Sequence, residues 1–261
     1  MRIVEIIDRS EQGITRPFLC RGEDGKIYYV KGRHAGYRGL CCEWVASELA
    51  RHWGLPVAPF AIVEVPGLLI SGSLLAGALD LGSGPAFGSQ QVPDASELRW
   101  HEIESEIIPV DLRARLLLFD WWVANPDRML SETGGNPNLL WPAAQQQLHI
   151  IDHNLAFSPH MMPPSLIDFC SDHVFGADLL AEEALPLTDE ATAHTGPLIV
   201  TAWALKEFWQ ENRAALEESW EELPLEWTEA APDFTLEEVC ALLDRVGSDD
   251  FWGVSAREES E

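Results

Sequence analysis

Lysine is scarce in this chain: of 17 basic residues only three are lysine, Lys26, Lys31 and Lys206. A lysine inside a strand pattern therefore stands out against a background of arginine. Basic charge is short overall, and 43 acidic residues leave a formal net charge of −26. Nucleic-acid binding needs a basic footprint, so direct binding of that kind is not expected. An acidic surface serves solubility, or a basic partner. No apolar run reaches the ~20 residues that span a bilayer, so no membrane association is expected. The start, MRIVEIIDRSEQG, has no basic stretch before an apolar one. It does not read as a secretory signal, and a cytoplasmic location is the expectation. The cysteines Cys20, Cys41, Cys42, Cys170 and Cys240 form no CxxC pair, which fits buried thiols in a reducing compartment and no metal–thiolate site. The eight histidines show no HExxH spacing, and neither GxSxG nor GxxxxGK[ST] occurs. Zinc-enzyme, serine-hydrolase and P-loop readings have nothing to stand on.

What is present is core-forming material. The chain has 261 residues, 46% of them hydrophobic, with eleven tryptophans. That suits one domain of two lobes with a largely aromatic core. RPFLCRG and KIYYVKG flank the turn EDG and predict a β-hairpin. Alternation puts Ile27, Tyr29 and Lys31 on one face, so a lysine ends an apolar and aromatic row. LCCEWVASELARHWGLPVAP predicts a helix closed by Gly54 before Pro56. Glu43 in that helix has small neighbours, Ala46, Ser47 and Ala50, where a second backbone could approach. PFAIVEV predicts a strand. Residues 66–100, with LGSGPAFGSQQVPD at their centre, predict the hinge or connection between lobes.

Beyond the hinge, VDLRARLLLFDWWVAN predicts a helix. The loop ANPDRMLSETGGNPN follows, then two short strands, NLLW and LHIID, joined by PAAQQQ. Leu148, Ile150 and Asp152 share a face. The last hundred residues predict helices, including LIVTAWALKEFWQENRAALEESW and a capping box at Thr235-x-x-Glu238 before FTLEEVCALLDRV. SAREESE reads as a solvated tail. The fold class is thus α+β, a strand-rich N-lobe over about 1–95 with its hinge and a helical C-lobe over about 96–261.

A lysine ending a strand, a glutamate in the next helix, an aspartate and asparagine in a loop, and an aspartate ending a strand each have a job in phosphoryl transfer from ATP. A strand lysine holds phosphates and the helix glutamate orients it. A loop aspartate takes the proton of the acceptor hydroxyl. An asparagine and a second aspartate hold Mg²⁺.

In YYVKG, CEWVASELARHWGLPV, the FGS of PAFGSQ, FDWWVANPDR followed by NLL, and IIDHNLAF, the chain resembles the HipA-like kinases, which have a two-lobed protein-kinase-like fold. The resemblance covers roughly residues 12–160 in order. It implies Lys31 as the ATP lysine, Glu43 as its helix partner and Asp127 as the catalytic aspartate. It implies Asn138 and Asp152 as metal ligands, with ATP and Mg²⁺ as cofactors. Gly13-Ile14-Thr15-Arg16 stands where the loop over the phosphates should be. Members of the family can phosphorylate a hydroxyl in that loop, and Ser10 and Thr15 are the hydroxyls in the matching segment. The insertion LSETGG lengthens the separation of Asp127 from Asn138 and makes Asn136 a rival ligand. Asp152 is followed by His153-Asn154 rather than Phe-Gly, and the phosphate loop has one glycine. Asn125 reads as a brace for the loop. The implied function is phosphorylation of a protein Ser or Thr hydroxyl, with a protein substrate and a small cognate regulatory protein as partners in a toxin or regulator role. A small-molecule phosphotransferase of the same fold and a nucleotide-binding pseudokinase are the rival readings.

Overall fold

The computed structural model describes residues 1–11, 13, 15–104, 107–142, 147–177, 179 and 196–252. Ile14, most of the PAAQQQ connection and the SAREESE tail lie outside the described residues.

The N-terminal sheet has five strands: β1 (Ile3–Arg9), β2 (Phe18–Gly22), β3 (Ile27–Lys31), β4 (Phe60–Val65) and β5 (Gly84–Gln90). Their order is β1-β2-β3-β5-β4. The hairpin expected around EDG is β2–β3, with Phe18 opposite Val30 and Arg21 opposite Ile27. Tyr28 and Val30 point into the sheet's core with Ile3, Phe18, Cys20, Val63 and Val65.

The centre of the segment expected as the hinge or connection is instead an interior strand of the sheet. Within LGSGPAFGSQQVPD, residues Gly84–Gln90 pair with both β3 and β4. Glycine and proline suggest a loop from local preference alone, but pairing with strands on both sides overrides it. Gly88 is small for a packing reason: a Cβ there would lie 2.8 Å from Val63 Cγ1. Two short helices, α2 (Gly67–Gly72) and α3 (Ala78–Leu81), fill the chain between β4 and β5. The crossing to the C-lobe is shorter than expected. The next strand, β6 (Ala95–Glu97), already pairs with C-lobe strand β9 (Leu139–Pro142).

Helix α1 (Tyr37–His52) follows β3. Its end is a left-handed glycine stop: Gly54 has φ +70°, and Leu55 N donates to Ala50 O at 2.9 Å. An amphipathic helix shows one apolar stripe, yet every residue of α1 from Leu40 to Ala50 is buried. The C-terminal helices cover its outer face. Helix α7 (Pro197–Glu221) receives the indole N–H of Trp44 on Ser219 O at 3.0 Å, and Trp227 in α8 (Leu225–Ala230) donates to Pro85 O at 3.1 Å. Helix α4 (Trp100–Glu104) precedes α5 (Val110–Trp122), which runs through the C-lobe core and packs on α7. Trp122 of α5 donates to Leu243 O in α9 (Leu236–Asp244) at 3.0 Å. The N-cap half of the expected capping box opens α9, with Glu238 N donating to Thr235 Oγ1 at 3.2 Å, while the Thr235 hydroxyl donates to Glu238 Oε2 at 3.0 Å. A small sheet, β10-β9-β6 with β10 at His149–Ile150, and the hairpin β7 (Met129–Ser131) and β8 (Gly134–Asn136) complete the described strands. Among the described residues no helix is long and apolar enough to cross a membrane.

Gly88→Ala should cost about 1–3 kcal/mol through overpacking against Val63. Thermal unfolding followed by circular dichroism should show a melting temperature lower by several degrees. An unchanged melt would mean the sheet yields at this contact.

Candidate active site

Strand β3 ends on Lys31, which is only 7% exposed. Its ammonium bonds to Glu43 Oε1 and lies 2.7 Å from Asp152 Oδ1. Helix α1 brings Glu43, and the chain after β10 brings Asp152. The second oxygen of Glu43 accepts from His153 N at 2.9 Å. One turn along α1, Ser47 Oγ bonds to His153 Nδ1 at 3.1 Å. This is the close backbone approach that the small flank of Glu43 suggested. Burial pushes His153 down to about 3, so its ring is neutral.

One lysine here serves two carboxylates. Burial alone would lower Lys31, but Glu43 and Asp152 together keep it well above the usual lysine value. Burial lifts Glu43 to about 7, with the charge of Asp152 adding to the rise and Lys31 opposing it. Asp152 meets the same burial but is held below the ordinary carboxylate range by Lys31. Lys31 thus favours the charged form of Asp152, while burial and the neighbouring Asp152 work against the charged form of Glu43.

Asp127 and Asn138 form the second half. Asn138 Nδ2 donates to Asp127 Oδ2 at 3.1 Å. A carboxylate accepts only from the amide nitrogen, so the amide oxygen of Asn138 is left for a cation. Burial raises Asp127 above the usual aspartate value, the Asn138 bond opposes the rise and the nearby Asp152 adds to it. A raised carboxylate is better suited to taking a proton near neutrality. Asn138 and Asp152 sit at φ +49° and +59°. Asn and Asp tolerate this region better than other side chains. Asn136, the rival ligand, is exposed on strand β8. The structure brings Asn138, not Asn136, to Asp127.

The buried residue Arg128 fastens these parts together. Its Nε donates to Asp120 Oδ2 at 2.6 Å. Its Nη1 donates to Asn138 O at 2.8 Å and reaches Pro137 O at 3.2 Å and Ile151 O at 3.4 Å. Asp120 also receives Asn125 Nδ2 at 2.8 Å. His173 Nδ1 accepts from Phe175 N, so its Nε2–H is the group facing Asp120 Oδ2 at 3.2 Å. Burial would raise Asp120, yet Arg128 and His173 hold it well below the carboxylate range. Sequence reasoning passed over Asp120, Arg128, His153 and His173. A lone aspartate inside the apolar run RLLLFDWWVA was the available signal, since buried charges come paired.

Gly13, Thr15 and Arg16 lie in the connection between β1 and β2, the place expected for a phosphate-covering loop. Arg16 is exposed at φ +44°, and its Nε bonds back to Ser10 O at 3.4 Å. The structure does not bring these residues into contact with Lys31 or Asp152 among the bonds described. The hard oxygen donors of Asn138 and Asp152 fit Mg²⁺, which takes few protein ligands and completes its shell with water and phosphate.

Arg128→Met leaves Asp120 buried without its cation and should cost about 3–5 kcal/mol. Asp120→Asn combined with Arg128→Met should regain part of that stability in urea unfolding. A double variant no more stable than Arg128→Met would show that the pair is not the source of the loss.

The sequence profile of the HipA-like kinase family matches residues 3–255. Among curated proteins no sequence relative is found. Among solved structures the fold is similar to that of the Helicobacter pylori proinflammatory kinase CtkA, with a TM-score of 0.56 and 12% identity over 95% of this chain and 94% of that one. It is also similar to the Golgi casein kinase, solved with Mn and ADP bound, with a TM-score of 0.51 and 13% identity over 96% of this chain and 72% of that one. Likeness at such identity concerns the fold: a strand-rich N-lobe and a helical C-lobe of protein-kinase type. The profile match spans nearly the whole chain, including every site residue named above, and the chain belongs to the HipA-like kinase family.

Proposed function

We propose that this chain is an ATP- and Mg²⁺-dependent kinase that phosphorylates Ser or Thr hydroxyls of a protein. The observation that carries the reading is the convergence of five side chains, Lys31, Glu43, Asp127, Asn138 and Asp152, from four separate segments. Buried lysines and carboxylates are costly unless something is gained from them.

Lys31 holds nucleotide phosphate as a point charge, and Glu43 fixes its direction. Asn138 and Asp152 would hold Mg²⁺, whose charge offsets that of the phosphates when bound. Asp127 accepts the proton of the acceptor hydroxyl as that oxygen bonds to the γ-phosphorus. The bond from the γ-phosphorus to the bridging oxygen breaks, and ADP leaves with the electron pair. Asn138 keeps Asp127 aimed through its amide N–H. No other covalent chemistry is asked of the protein, so the rate rests on positioning and preset charge.

Because ligand binding to the native state adds stability by mass action, ATP with Mg²⁺ should raise the melting temperature, and ATP alone should raise it less. Asp152→Ala and Asn138→Ala should lose most of the Mg²⁺-dependent increment, whereas Asn136→Ala should keep it. Asp127→Ala should retain nucleotide binding, since its work is on the acceptor. An Asn136→Ala loss as large as that of Asn138→Ala would move the metal ligand onto the hairpin. No response to millimolar ATP and Mg²⁺ would overturn the kinase assignment.

A further inference from the structure

The insertion between Asp127 and Asn138 is a hairpin whose function the reaction above does not use. Its strands β7 and β8 begin two residues after Asp127 and end two residues before Asn138, so its base opens at the site. Ser131 and Gly134 close a two-residue turn, and Ser131 Oγ donates to Gly134 O at 3.0 Å. In an antiparallel ladder hydrogen-bonded pairs alternate with non-bonded ones. With Ser131 and Gly134 as the bonded pair that closes the turn, Leu130 and Gly135 form the non-bonded pair. The N–H and C=O of Gly135 therefore face away from β7.

The two edges of the hairpin differ. The outer edge of β7 is taken: Met129 bridges to His173, and Val174 N donates to Arg128 O at 3.0 Å. The outer edge of β8 has no strand partner among the described residues. It is also bare. Gly134 and Gly135 have φ +118° and +150°, and a Cβ on Gly135 would meet Leu130 Cα at 2.9 Å. All three residues of β8 are exposed. An open edge of this kind is a template for another strand.

The charge around the hairpin selects what that strand can be. No lysine or arginine stands between Arg128 and Lys206. Arg128 itself is buried and paired. Glu132 at the turn is exposed, and so are Asp168 and Asp172 on helix α6 (Leu166–Asp172), which runs into the His173 bridge. The α6 carboxylates border the β7 side and Glu132 stands at the turn beside the open edge, and no lysine or arginine of residues 129–205 offsets them, so a basic peptide is favoured there over an acidic one.

We propose that the acceptor is an extended, basic segment of a protein that adds as a strand along β8, pairing with Gly135 and bringing a Ser or Thr hydroxyl to Asp127. Three residues of extended chain span about 10 Å, so a segment held at Gly135 reaches the base within a few residues. The proposal rests on the kinase reading and names its substrate class. The transfer step is the one already written, with the hydroxyl proton passing to Asp127 and ADP leaving.

The test uses the full chain with Mg²⁺, γ-labelled ATP and two serine peptides of equal length, one flanked by arginines and one by glutamates. The arginine peptide should be favoured at least tenfold in kcat/KM, and the preference should shrink as salt is raised. Backbone N-methylation of that peptide should raise KM several-fold at positions of one parity only, because alternate N–H groups of a strand point to the same edge. Glu132→Lys should raise KM for the arginine peptide and improve kcat/KM for the glutamate peptide. Equal use of both peptides, or equal sensitivity to N-methylation at both parities, overturns the proposal. Asp127-dependent consumption of ATP with transfer to neither peptide also overturns it and leaves the kinase reading standing. Absence of any Asp127-dependent consumption of ATP overturns the kinase reading itself.

Discussion

The pair of Arg128 and Asp120 is the constraint on which the rest of the site depends. Both side chains are fully removed from water. Neither charge could be buried alone, since an unpaired ion in the interior costs several kcal/mol. Together they form a fixed post in the C-lobe. From that post the guanidinium reaches the carbonyls of Asn138 and Ile151, the backbone of one proposed metal ligand and the residue before the other. Ile151 N also donates to Asn138 O at 3.1 Å, so the segments carrying Asn138 and Asp152 are tied to each other as well. Asp127 is the residue next to Arg128. Fixing the arginine thus fixes the proposed base and both proposed ligands relative to one another.

The N-lobe half of the site is fixed by different means. Helix α1 has no free face on which to swing. Trp44 binds it to α7, Arg38 Nη2 donates to Phe157 O at 2.9 Å, and Tyr37 OH donates to Glu226 Oε1 at 3.0 Å. Beyond α1, Ala58 N donates to Ile150 O at 3.0 Å and Ile150 N to Pro56 O at 2.9 Å. These bonds stitch the chain leading into β4 to the strand that delivers Asp152. The contact between Lys31, Glu43 and Asp152 is therefore set by backbone ladders and tryptophan N–H groups, not by the three charges alone. That matters because the three charges are mutually frustrated: two carboxylates compete for one ammonium, and burial raises the cost of the surplus.

Much of this was legible in the sequence because it rests on local pattern. The β2–β3 hairpin follows from EDG between alternating runs, α1 from its spacing and Gly54, and α9 from its capping box. The five candidate residues followed from order and spacing together with the family resemblance. What was not legible depends on long-range partners. GPAFGSQ has the composition of a linker, and only β3 and β4 on either side make it a strand. The all-round burial of α1 depends on helices some 175 residues later in the chain, as in Trp44 to Ser219. Asp120 and Arg128 each looked ordinary, and only their meeting across the loop gives them a role. Asn136 and Asn138 were indistinguishable by spacing, because the inserted hairpin decides which of them faces Asp127.

The central claim is that these segments assemble a phosphoryl-transfer site with Asp127 as the proton acceptor. Phosphorus NMR of ATP mixed with the purified chain, Mg²⁺ and an arginine-flanked serine peptide tests it most directly. The account predicts that the γ-phosphorus signal is replaced by a phosphoserine signal matched in amount by ADP, and that Asp127→Asn abolishes the conversion. Conversion of the γ-phosphorus to free phosphate alone, at the same rate in both proteins, would contradict it.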